Sequence, residues 1–118
     1  MREKRRFIRF EVSLKVNYII QKAEKIEKTG ITKDVSAGGL QLLTEEMLET
    51  GSKVRLKAFI PQALNPAHLK GIVLWSKEVP EEKNLSYSAG IEFEGIEEDN
   101  KNTFLKFLCE LMYGKVGK

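Results

Sequence analysis

The chain has 118 residues, is 42% apolar and 31% charged, and carries a formal net charge of +3. These values suit one compact domain with one core and exclude wholesale disorder. A single cysteine, Cys109, excludes an internal disulfide and a cysteine-built metal site, and His68 is the only histidine.

The charge is concentrated at the start. Arg2, Lys4, Arg5, Arg6 and Arg9 against Glu3 give residues 1–10 a net +4, and the remaining 108 residues sum to −1. A basic arm on a nearly neutral body points to an anionic partner at the N-terminus. No long apolar stretch follows Met1-Arg2-Glu3-Lys4-Arg5-Arg6. The expectation is therefore a reduced, cytoplasmic protein with neither signal peptide nor membrane insertion. Residues 1–9 are expected to form a flexible basic arm and residues 10–118 the folded domain.

From Phe10 the pattern alternates. Phe10, Val12, Leu14, Val16, Tyr18 and Ile20 line one face, which predicts a long half-buried strand over eleven residues. Gln21 to Lys28 is charged and reads as a loop. Gly30 to Val35 is expected to be a second strand, with Ile31 and Val35 apolar, and Leu40 to Thr44 a third. Glu45 to Thr50 reads as a short connector with room for one helical turn, closed by Gly51. Val54, Leu56, Ala58 and Ile60 mark a fourth strand, and Pro61 and Pro66 bracket the next loop.

Leu69 to Lys77 is expected to be a fifth strand, with Ile72 and Leu74 on one face and Val73 and Trp75 on the other. Pro80 to Asn84 reads as a polar turn, and Ser86 to Glu94 as a sixth strand carrying Tyr87, Ala89, Ile91 and Phe93 on one side. After Gly95 the period changes: Phe104, Phe107, Leu108, Leu111 and Met112 recur at helical spacing. Glu97, Glu98 and Asp99 suit a helix N-terminus, and Gly114 a helix end. The predicted class is all-β, a six-stranded antiparallel barrel with a C-terminal α-helix closing an end or a seam.

Two stretches are candidates for chemistry. In Arg5-Arg6-Phe7-Ile8-Arg9, an extended backbone sets Arg5 and Arg9 roughly 13 Å apart. Guanidinium groups bond phosphate oxygens and the guanine O6 and N7 edge in pairs. A solvated basic tail is the plainer reading. In Asp34-Val35-Ser36-Ala37-Gly38-Gly39, a bulged hairpin between strands two and three is the plainer reading. The alternative is a polar shelf on which Asp34 accepts from a guanine edge, Ser36 donates to phosphate or base, and the glycines open the backbone to a ligand.

In combination, Arg-x-x-x-Arg before the first strand and Asp-x-Ser-x-x-Gly after the second resemble the PilZ family, receptors for the bacterial second messenger cyclic di-GMP. "GIVLWS", residues 71–76, and "SAGIEFEGI", residues 88–96, extend the resemblance from Arg5 to about Met112. The resemblance implies a cyclic di-GMP receptor without catalytic residues, metal or cofactor. Arg5 and Arg9 would serve guanines and phosphates, and Asp34 and Ser36 would hydrogen-bond to guanine and phosphate. Gly39 would be a position where a side chain collides with ligand or distorts the loop, with Arg6 and Gly38 as neighbours. Ligand binding would order the arm and present a surface to an unidentified protein effector. Two alternatives stand beside it: a PilZ-type adaptor that works through protein contacts without nucleotide, and a basic-arm barrel that binds nucleic acid. The nearly neutral body and the shortage of aromatics for stacking argue against the second. The paired acids Glu45-Glu46, Glu81-Glu82 and Glu97-Glu98 read as solvated turns rather than an active site.

Overall fold

The computed structural model describes residues 8–21, 26–96 and 101–114. Six strands alternate in direction: β1 (Lys15–Ile20), β2 (Lys28–Val35), β3 (Gly39–Thr44), β4 (Lys53–Ala58), β5 (Ala67–Glu82) and β6 (Leu85–Ile96). They close into an antiparallel barrel in the order β1-β2-β3-β6-β5-β4, followed by the helix α1 (Lys101–Met112).

The core follows from period two. Val16, Tyr18, Leu40, Leu42, Val54, Leu56, Leu69, Val73, Ala89 and Ile91 point inward and are almost wholly buried. Helix α1 adds Phe104, Phe107 and Leu108 to the same cluster, as its spacing predicts, and the Phe104 ring meets Phe93 edge-on with centroids 5.6 Å apart. The helix ends at Gly114, whose φ of 72° is left-handed and whose N–H donates to the Leu111 carbonyl. Glu97, Glu98 and Asp99 lie outside the described residues.

Several expectations are corrected. The strand expected from Phe10 begins only at Lys15. Residues 11–14 leave the ladder, and Phe10 returns to it as an isolated bridge to Val35. The connector at 45–50 forms no helical turn. The turn expected over Pro80–Asn84 shrinks to Lys83-Asn84. Glu82 and Leu85 pair across it, and both turn residues have positive φ, 55° and 67°. A two-residue turn of this hand matches strand twist, so β5 continues through Pro80.

Strict alternation also fails where the register shifts, and two of these β-bulges bear on the outer face. In β2 the register shifts between Thr32 and Asp34; in β5 it shifts between Val73 and Trp75. Each bulge places one extra residue on its strand, so the residue after it changes face. Thr32 and Val35 therefore both point inward, and Asp34 points outward. Likewise Val73 is buried while Leu74 and Trp75 both lie on the outside, which overturns the expectation that Val73 and Trp75 share a face.

Candidate functional site

The outward-turned residues fall in one row. Asp34 of β2 is opposite Gln41 of β3, Gln41 is opposite Gly90 of β6, and Gly90 is opposite Trp75 of β5. Gln41 lies between the inward Leu40 and Leu42, so its side chain is on the outer face. Three strand spacings of about 4.8 Å give the row a span of roughly 14 Å.

One end of the row is built by the N-terminal leader. The Phe10 N–H donates to the Val35 carbonyl at 2.8 Å, and the Val35 N–H donates back at 2.9 Å. That bridge carries Arg9 to the end of β2, where its Nη1 donates to Asp34 Oδ1 at 3.1 Å. The guanidinium is 40% exposed and the carboxylate 16%. A pair this open contributes at most about 1 kcal/mol to stability. Arg5 and Arg6, the other arginines expected at the site, lie outside the described residues.

Ser36, Gly38 and Gly39 form the turn that follows. Ser36 is buried, and its Oγ accepts from the N–H groups of Gly38 and Gly39 and donates to the Gly39 carbonyl, each at 3.2 Å. Its N–H also donates to the Gly39 carbonyl at 2.8 Å. The hydroxyl is thus spent holding the loop that follows Asp34, a serine-turn geometry. It is not presented on the surface as the sequence reading supposed. The Gly38 carbonyl accepts from Phe93, tying this loop to β6.

Gly39 has a structural reason to be glycine that the sequence does not show. A Cβ there would lie 2.2 Å from the Ile91 carbonyl oxygen on the neighbouring strand. The obstacle is the barrel's own backbone, so any side chain at Gly39 must displace the neighbouring strand β6.

The far end of the row is aromatic. A Cβ on Gly90 would lie 2.3 Å from Trp75 Nε1, so the indole rests on the bare backbone of Gly90. Trp75 remains 39% exposed, with Lys77 Nζ 5.4 Å from its ring centroid. The alternation expected over Leu69–Lys77 sets Trp75 on one face with Val73, and nothing in the sequence singles out Gln41 or Gly90. The signal available was the run Val73-Leu74-Trp75: three consecutive bulky apolar residues cannot all face the core of a regular strand. Taken along its length, the outer face carries a cation and a carboxylate at one end, in the middle the Gln41 amide, whose Nε2 donates to Ser88 Oγ at 2.7 Å, and an exposed aromatic ring with a lysine at the other.

A barrel of this order, with this leader and shelf, is one of a known kind. The PilZ domain family model matches residues 3–109, and the chain belongs to that family. The PilZ domain of YcgR from Escherichia coli, solved with cyclic di-GMP, is 15% identical with a TM-score of 0.68, over 98% of this chain and 98% of that one. The Bacillus subtilis inhibitor of motility, MotI/DgrA, is 17% identical with a TM-score of 0.73 over 97% of this chain. This chain spans about half of that protein's length, 54%. The Klebsiella MrkH–cyclic di-GMP complex is 16% identical with a TM-score of 0.65, over 100% of this chain and 57% of that one. At these identities the likeness speaks for the fold. No curated protein matches the chain significantly.

Among the described residues, no group of three or more His, Cys, Asp and Glu side chains could hold a metal ion. Nor is any described helix long and apolar enough to cross a membrane.

Proposed function

We infer that this chain is a cyclic di-GMP receptor rather than an enzyme, and that its site is the outer row from Arg9 and Asp34 across Gln41 to Trp75. The observation that carries the reading is the Phe10–Val35 bridge, which sets Arg9 on Asp34 at 3.1 Å. It brings Arg9, the last arginine of the leader motif, beside Asp34, the first residue of the second motif.

The chemistry fits a ligand with two phosphates and two guanines. Arg9 can fork onto a phosphate or onto guanine O6 and N7, and Asp34 can accept from the guanine N–H edge. The Arg9–Asp34 pair is weak enough for a dianionic ligand to insert into it. The exposed indole of Trp75 offers a stacking face, worth about 1–3 kcal/mol for one base, beside the Lys77 ammonium. Arg5, which the motif implies, and its neighbour Arg6 would add to the cationic side, while Ser36, Gly38 and Gly39 hold the loop's shape.

Ordering the arm costs about 1–2 kcal/mol per residue fixed, so the charge-assisted contacts must exceed that. The ordered arm is then the surface that a protein effector reads, an order-from-disorder switch in the cytoplasm of a bacterial cell.

Titration calorimetry with cyclic di-GMP tests this. The wild-type chain is expected to bind, and Trp75, the sole tryptophan, to change its emission on saturation. Arg9→Ala is expected to lose about 2–3 kcal/mol or more of affinity, on the order of a hundredfold. A folded wild-type chain that takes up no cyclic di-GMP refutes the reading. An Arg9→Ala chain that binds as well as wild type removes Arg9 from the site.

A further inference from the structure

The leader reaches the site by an arch. Opposite β2 it is anchored at Leu14, whose carbonyl accepts from the Thr32 N–H at 2.9 Å, and again at Phe10, bridged to Val35. Three leader residues, Glu11, Val12 and Ser13, lie between these anchors, against two on β2, Lys33 and Asp34. The leader therefore bows away from the barrel, and an open cleft of about 410 Å³ lies along it, lined in part by Glu11, Ser13, Lys33 and Lys83.

Bowing takes backbone groups out of the ladder, and buried orphans are costly. One side chain answers for two of them. Thr32, 1% exposed, accepts from the Leu14 N–H through Oγ1 at 2.8 Å and donates its own proton to the Val12 carbonyl at 2.6 Å. The hydroxyl stands where a strand partner would otherwise be. It acts at the foot of the arch, and the other foot is the residue next to Arg9.

We propose that Thr32 is a positioning residue for the nucleotide site: its hydroxyl latches the leader at Val12 and Leu14, and the arch so held sets Arg9 on Asp34. This role rests on the cyclic di-GMP reading above. Thr32 touches no ligand and acts only through the leader. It fits a strand position where the β-branched side chain faces the core, because valine matches its shape and lacks only the two hydrogen bonds.

The test is a set of chains titrated with cyclic di-GMP and followed by amide hydrogen exchange. Thr32→Val is expected to bind about tenfold or more weakly and to lose protection at the Leu14 amide, while the strand amides of β3 and β6 stay protected. Thr32→Ser, which keeps the hydroxyl, is expected to bind within about threefold of wild type. In an Arg9→Ala background Thr32→Val should add little further loss, because the latch acts through Arg9. If the valine chain does not fold, the wild type decides alone. Its Phe10 and Leu14 amides should slow together on adding ligand, and binding with both unchanged overturns the latch. Thr32→Val binding like wild type after losing Leu14 protection also overturns it. So does an undiminished Thr32→Val effect in the Arg9→Ala background. A wild-type chain that binds no cyclic di-GMP removes the functional reading and this role with it, whereas the other adverse results remove the latch and leave the receptor.

Discussion

Replacing Gly39 by alanine should damage the barrel before it touches any ligand. Gly39 sits in β3 opposite Glu92, and its φ is outside the left-handed region, so conformational freedom is not what the position demands. Distance is. A Cβ would lie 2.2 Å from the Ile91 oxygen, 3.2 Å from the Ile91 carbonyl carbon and 3.3 Å from Glu92 Cα. All three are backbone atoms, so no rotamer change relieves the contact. A carbon resting on a carbonyl oxygen needs about 3.3 Å, so β3 and β6 must part by roughly 1 Å at this pair. Overpacking of that kind costs about 1–3 kcal/mol. The bonds nearest the displacement, Phe93 N–H to the Gly38 carbonyl and Ser36 N–H to the Gly39 carbonyl, are worth about 1 kcal/mol each. With both bonds lost, a total of about 3–5 kcal/mol is expected. Urea unfolding of Gly39→Ala beside Gly95→Ala measures it, because a Cβ on Gly95 meets nothing within 4 Å and should cost little. A loss below about 0.5 kcal/mol at unchanged m would refute the close-approach reasoning. The consequence for function is direct: lost nucleotide binding in a Gly39 variant is a folding result until stability has been measured.

Gly90→Ala should behave differently, because the atoms in its way belong to a side chain, Trp75, which can swing off the backbone. The expected result is a folded barrel with shifted tryptophan emission and weakened cyclic di-GMP binding; unchanged emission would show that the ring does not rest there. Tyr18→Phe should be neutral or stabilising by up to about 1 kcal/mol, since the buried Tyr18 hydroxyl has no hydrogen-bond partner among the described residues. A clear loss in urea unfolding would mean that the hydroxyl is satisfied. The same residue sets an alkaline limit. Burial first, then Glu46 and Glu45, push the Tyr18 phenol up from 10.0 to about 12. Between those values the unfolded chain gives up the proton and the folded chain keeps it, so stability falls as pH rises from about 10 toward 12. The wild type should lose stability more steeply than Tyr18→Phe across that window, and identical slopes would contradict the shift.

The architecture was legible because alternation and helical spacing are local. Ten-odd apolar residues at period two, in six runs, can hardly be anything but a barrel or sandwich, and Phe104, Phe107 and Leu108 could hardly avoid a helix. Much of the candidate site was legible too, since Arg9, Asp34 and Ser36 stand in short motifs with recognisable chemistry. The errors share one cause. Period-two counting assumes an unbroken ladder, and this ladder is broken at the leader, in β2 and in β5. Each break moves a side chain of the proposed site: Arg9 is carried by the arch, Asp34 is turned outward, and Trp75 is turned outward with it.

The amino-acid pattern by itself determined the strand count, the helix, the basic leader and the turn chemistry around Ser36, because those depend on neighbours in sequence. The tertiary structure decided which residues stand side by side. Whether Trp75 packs inward or lies across Gly90, whether Gly39 serves a ligand or a neighbouring strand, and whether Thr32 faces empty core or the feet of an arch all depend on register between distant segments. Register is set by long-range pairing and by bulges, and a one-residue shift exchanges the two faces of a strand.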